Sequence, residues 1–125
     1  DLDLHLSPEA ESGIEPLAFE AESLYSIGMP AEIAMRHRTP QFQHIFAGEG
    51  YAAGYYSYLW SEVLDADAFD AFREAGDIFD PATAERLRTY VYGAGNLRDA
   101  RSAYTAFRGR LPSTGPLLRK RGLAA

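Results

Sequence analysis

Cysteine is absent from the 125 residues, which excludes disulfides and thiolate metal sites. No uninterrupted apolar run approaches the roughly 20 residues that span a bilayer, and no basic-then-apolar segment opens the chain. No membrane partner is expected, and the setting expected is cytoplasmic. Basic charge is scarce: the net charge is -6 and the pI about 5.0. Nucleic acid is therefore not expected as a main partner, since phosphate binding needs a basic surface. The histidines are His5, His37 and His44, no two at i, i+4, and there is no H-E-x-x-H. Without that pair the chain by itself cannot build a zinc hydrolase site, and no bound metal is expected. A G-x-S-x-G elbow and a G-x-x-x-x-G-K-S/T phosphate loop are missing too. Nothing in the chain alone activates a nucleophile.

What is present is a helical protein. Hydrophobic residues make up 46% and aromatic ones 13%, enough for a core and outside the disordered range. Sustained period-2 alternation is lacking after the first six residues, so the fold class is all-α, read as a single helical domain over 1–125. The chain opens without a cap or start signal, which suggests that it begins inside a longer protein. Pro16 to Ile27 reads as a helix stopped by Gly28, and a short helix is expected from Pro30 to Arg36. A long helix is expected from about Gly54 to Ala75, with Gly76 as its stop. On it Tyr56, Leu59, Trp60, Val63 and Leu64 share the apolar side. Asp80 and Asp99 read as N-caps of two further helices, which end near Gly93 or Gly95 and at Gly109. "GPLLRKRG" reads as a last short turn.

Charge is unevenly placed. Before Arg36 there is no Lys or Arg, whereas from Leu97 onward Asp99 is the sole acid against seven basic residues. The acidic start and basic end are expected either to pair with each other or a larger body, or to stand as two solvated faces.

The oddest stretch is "HIFAGEGYAAGYYSYLW", His44 to Trp60. If the helix reaches back far enough, Tyr51, Tyr55 and Tyr58, at i, i+4 and i+7, share a face opposite the apolar one. Phenol hydroxyls donate hydrogen bonds without carrying charge, which suits a peptide- or carbonyl-binding wall. A stripe packed against another domain is the alternative. Gly48, Gly50 and Gly54 permit close backbone approach, either as a loop that closes on substrate or as a plain helix-entry turn. His44, just before the glycines, is the best placed histidine for a polar contact. His37 lies between two arginines, a poor place for a dication. His5 near Asp1 and Asp3 is a weak metal set.

"FQHIFAGEGYAAGYYSYLWSEVLDADAF" resembles the C-terminal signature of the thimet oligopeptidase family of zinc metallopeptidases. Its nearest branch is the bacterial peptidyl-dipeptidase Dcp and oligopeptidase A group. "AGNLRDARSAYTAFRGRLPSTGPLLRKRGL" is similar to the family's closing segment. The resemblance runs roughly from Pro16 to Leu123. It implies a large all-α enzyme with two halves flanking a channel. The implied zinc site is an H-E-x-x-H helix plus a downstream glutamate, all lying before the part seen here. Zinc-bound water would attack the peptide carbonyl, with the glutamate of that helix as general base. On this likeness His44, Tyr55 and Tyr58 hold peptide and stabilise the tetrahedral intermediate, while Tyr51, Gly48, Gly50 and Gly54 form the loop over substrate. Glu49 departs from the family pattern by making the loop more acidic.

The resemblance thus implies the C-terminal, substrate-binding part of an oligopeptidase or dipeptidyl carboxypeptidase acting on short peptides, with zinc in the parent enzyme and none on this chain. Its partners would be peptide substrates and the rest of the parent. The isolated chain is expected to be inactive and to self-associate or be marginally stable. The rival reading is a non-catalytic helical module that binds a peptide or protein.

Overall fold

The structure is a computed structural model that describes residues 14–51 and 53–124. Among these residues every regular element is helical, as the patterning predicts, and no helix is long and apolar enough to cross a membrane. The chain divides into two compact units, one up to Ser57 and the other from Tyr58 onward.

In the first unit, α1 spans Pro16–Ser26. Proline at the first position loses no helical hydrogen bond, because that N–H has no partner anyway. Glu15 caps the helix by accepting from the Ala18 N–H at 2.7 Å, and Gly28, at φ +73°, turns the chain away beyond it. Residues 30–36, expected as a short helix, form turns and bends instead. A 3-10 turn at Thr39–Gln41 leads into the short helix α2, Gln43–Phe46. Glu20, on α1, is buried and accepts from Arg38 Nε at 3.1 Å.

The second unit is built on α3, Ser57–Ala75. Gly76, at φ +80°, ends it as the sequence predicts. Its start differs from expectation. Residues 53–56 form a turn, and Ala53 has φ +52°, a left-handed conformation that a right-handed helix cannot contain. Tyr55 is therefore not helical, and the expected helical face of Tyr51, Tyr55 and Tyr58 does not exist as such.

Two aspartates cap the following helices. Asp80 Oδ2 accepts from the Thr83 N–H at 2.6 Å to open α4, Pro81–Leu87. Asp99 Oδ1 accepts from the Ser102 N–H at 3.0 Å to open α5, Ala100–Arg108. Between them α4 widens into a π-helical turn at Arg88–Tyr92, closed by the Gly93 N–H donating to Arg88 O at 2.6 Å. Glycine is obligatory there, since a Cβ at position 93 would lie 2.9 Å from that carbonyl oxygen. The last helix, α6, is Gly115–Lys120.

The core of this unit is small. Ala71 of α3 and Tyr104 and Phe107 of α5 are buried together, with Leu64, Ala68, Leu87 and Tyr90 packed around them. The two aromatic rings meet edge to face with centroids 5.8 Å apart. The core thus takes up α3 from Leu64 onward. Tyr56, Leu59 and Trp60, expected on the core side, are exposed.

Polar contacts complete the packing. Asp67 is fully buried. Its Oδ2 accepts from the Tyr104 hydroxyl at 2.7 Å and from Arg108 Nε at 3.2 Å. Arg110 Nη1 lies 2.9 Å from Oδ1 as an ion pair, but its angle falls short of a hydrogen bond. Arg108 then forks onto both oxygens of Glu74. On the outside, α6 lies along α3 through Arg119–Asp70, Lys120–Asp65 and Arg121–Glu62 pairs. Such exposed pairs are worth about 0.2–1 kcal/mol each, so they set alignment more than stability. The basic end of the chain therefore pairs with the acids of α3. Of the acidic start, Glu20 pairs with Arg38, and residues 1–13 lie outside the described residues.

Candidate functional site

The glycine loop and its aromatic neighbours occupy the end of the first unit. Phe42 stands at the head of α2 and receives the His37 ring in a parallel stack, centroids 5.0 Å apart and planes within 9°. One turn on, His44 projects from α2 with its ring 5.8 Å from Tyr51 and 6.0 Å from Tyr55. Tyr51 and Tyr55 are themselves 5.9 Å apart, tilted by 70°, and Tyr55 meets Phe42 edge-on at 4.6 Å. These are the offset and edge-to-face arrangements that aromatic quadrupoles favour. The two phenols are brought together by the turns that follow the loop. Gly54 takes part in both, its N–H donating to Tyr51 O at 3.1 Å and its carbonyl accepting from the Ser57 N–H at 3.1 Å.

Against this cluster lies a cleft of about 310 Å³, lined by Gln43, His44, Ala47, Gly48, Gly50 and Tyr51. One imidazole, one phenol and two glycines face the same space. The glycines are informative because nothing in the described residues demands them. A Cβ at Gly48 or Gly50 would meet nothing within 4 Å, and neither backbone is left-handed. A fold that needed glycine would show a clash or a positive φ, as Gly93 and Gly76 do. Replacing Gly48 or Gly50 by Ala should therefore change the unfolding free energy by less than about 0.5 kcal/mol, as for an ordinary surface substitution. Denaturant titration reads this out, and a loss of several kcal/mol would show that the fold does need these glycines.

The predicted site residues thus separate by unit. His44, Tyr51, Tyr55, Gly48, Gly50 and Gly54 gather in the first. Tyr58 stands in the second, at the second position of α3 and 52% exposed. His37, set aside as a metal ligand, instead stacks on Phe42, a role that its sequence neighbours Arg36 and Arg38 do not signal. His5, with Asp1 and Asp3, lies outside the described residues. Among the described residues no three His, Asp or Glu side chains converge as metal ligands. They do not fit a zinc ion, and no step is assigned here through one. A phenol cluster with an imidazole can donate hydrogen bonds to a peptide carbonyl and pack on peptide side chains.

The closing segment has a different role. Tyr104, Phe107, Arg108 and Arg110 all serve the core of the second unit and the buried Asp67. They hold α3, the helix that carries Tyr58.

Comparison with known proteins agrees with the signature. The family model described as peptidase family M3 matches residues 1–123. An oligopeptidase A of Haemophilus influenzae is 49% identical over 82 residues, 66% of this chain and 12% of that protein. An organellar oligopeptidase A of Arabidopsis thaliana is 44% identical over 115 residues, 83% of this chain and 14% of its own length. A dipeptidyl carboxypeptidase of Salmonella typhimurium is 36% identical over 125 residues, 98% of this chain and 18% of its own. The chain thus spans less than a fifth of the length of these relatives. With the family model reaching from end to end of the signature, and oligopeptidase and dipeptidyl carboxypeptidase relatives aligning along it, the chain belongs to peptidase family M3.

Proposed function

We propose that this chain is the substrate-binding and transition-state-stabilising part of a zinc-dependent oligopeptidase or dipeptidyl carboxypeptidase that hydrolyses short peptides. The observation that carries this reading is the gathering of His44, Tyr51 and Tyr55 beside a cleft whose glycines the fold does not require. Gly48 and Gly50 leave room for a peptide backbone to lie against the loop. His44 and Tyr51 line that space and fix the peptide, with Tyr55 buttressing both rings. Tyr58 supplies a neutral donor where negative charge develops on the carbonyl oxygen. A donor placed in advance stabilises the transition state without reorganising during the reaction. Zinc, in the family, supplies Lewis acidity and the attacking water; in this reading its ligands come from the rest of the longer protein. The cytoplasmic setting expected from the sequence belongs to this reading as well.

The test compares the dialysed 125-residue chain with a longer protein containing it. The 125-residue chain should hold no stoichiometric zinc and cleave no peptide, while the longer protein should do both. One zinc bound tightly per 125-residue chain, or no peptide cleavage by the longer protein, would overturn the reading. The second outcome would favour the non-catalytic module, which keeps the aromatic cleft without the chemistry.

A further inference from the structure

The second unit carries another cleft, about 670 Å³ in volume, lined by none of the loop residues just described. Trp60 and Leu64 of α3 form one wall. Tyr90 and Val91 of the π turn form a second, and Leu111 and Pro112 close the end. The surface is apolar, and Trp60 is 63% exposed. Two guanidiniums, those of Arg98 and Arg101, stand on its lining. Arg98 lies over the Tyr90 ring at 5.4 Å, so its charge is held at the cleft.

The charges distinguish this cleft from an ordinary apolar hollow. In the same unit Arg108, Arg110, Arg119, Lys120 and Arg121 all have carboxylate partners. Among the described residues Arg98 and Arg101 have none. Asp99, their neighbour in sequence, is engaged in capping α5. An occupant of this cleft therefore has to offer apolar side chains to Trp60 and Leu64 and carboxylates to the two arginines. The length of the family relatives says where such an occupant comes from, since this chain covers 12% to 18% of them.

We infer that this cleft is the docking site for an acidic amphipathic segment of the longer family M3 protein. The inference rests on the reading above that the chain works as part of such a protein. Apolar burial against Trp60 and Tyr90 supplies the attraction, and the unpaired guanidiniums select carboxylates and reject a basic segment.

Trp60 is the single tryptophan, so its fluorescence reports on the cleft alone. The probe is a synthetic peptide of about 15 residues, near the shortest length at which helices persist in water, with Leu on one face and Glu on the other. It should give a saturable blue shift when titrated into the 125-residue chain. A version with Lys in place of every Glu should bind at least about tenfold more weakly, a difference of 1.4 kcal/mol. The paired substitution Arg98→Glu and Arg101→Glu should reverse that preference. Both side chains are exposed, so the fold should survive, and circular dichroism checks it. If the Glu pair did not fold, Arg98→Ala with Arg101→Ala should still narrow the difference between the two peptides.

The inference is overturned if neither peptide shifts the fluorescence, or if the two peptides bind alike. It also fails if the arginine substitutions change nothing. A blue shift on concentrating the chain alone, matched by dimers in light scattering, would make a second copy the occupant. Peptide cleavage by the longer protein is read separately, so an inactive longer protein would sink the peptidase reading and leave this measurement standing.

Discussion

On the proposed peptidase reading, replacing Tyr58 by Phe in a longer protein containing this chain is expected to lower kcat by about 10²–10³ with little change in KM. That is the pattern for losing one donor used chiefly in the transition state. The ring remains, and at 52% exposure on the first turn of α3 it is not a core residue, so the packing loss should be small. Tyr55 should behave differently. Its ring sits among Phe42, His44 and Tyr51, so Tyr55→Phe should act more on KM, through a loosened loop. Steady-state kinetics with one short peptide separates these patterns. If Tyr58→Phe leaves kcat/KM intact and lowers the Tm by several degrees, Tyr58 is a packing residue and its catalytic assignment is wrong.

The second large effect is on stability. Asp67→Ala should destabilise the second unit by about 3–5 kcal/mol, the usual cost of removing one partner from a buried charged set. The Arg108 side chain, itself only 5% exposed, would be left with Glu74 as its one carboxylate, and the Tyr104 hydroxyl would lose its own. Against a domain stability of about 5–15 kcal/mol that is a large fraction. Denaturant unfolding measures it, and a loss under about 1 kcal/mol would show that Arg110 and water re-solvate the site. The same carboxylate sets an acid limit. Burial alone would raise its pKa, but the hydrogen bond from Tyr104 and the close guanidiniums of Arg110 and Arg108 outweigh that and hold it below the ordinary 3.8. Its stabilisation is therefore present above about pH 3.8 and is lost as pH falls through the lower folded value. In Asp67→Asn that acid-side loss should shrink.

Much of this was legible in the residues. Pro16, Asp80–Pro81 and Asp99 mark helix starts by chemistry that acts within one turn, and Gly28, Gly76 and Gly109 mark ends because few other residues accept positive φ. The signature stretch pointed to the family, while of the three tyrosines expected on one face the structure brings Tyr51 and Tyr55 together beside His44 and puts Tyr58 in the other unit. What failed depended on longer reach. Helical periodicity carried the long helix back to Gly54, but the left-handed Ala53 stops it short, and the phenols meet through a turn. The apolar side of α3 was expected to be core along its length. Periodicity says which side is apolar and not how far a partner extends, and the core begins only at Leu64. Nor could the sequence show that the basic tail would pair with Glu62, Asp65 and Asp70 some fifty residues earlier, because charges alone do not choose partners.

The π turn at Arg88–Tyr92 changes the spacing of the helix that it ends. A hydrogen bond spanning five residues rather than four stows a surplus residue inside a helix without breaking it. Here the wide turn is the helix's last, and the chain leaves it through Gly93. Tyr90 and Val91 lie within that turn and line the cleft, and Gly93 is the residue that lets the wide turn close. Drift in chain length is tolerated mostly in loops, yet here a single residue's worth of slack sits within a helix and aims the surface beside it. Kept or removed, that one residue is a dial on which side chains the unit presents, separate from the composition of the cleft itself.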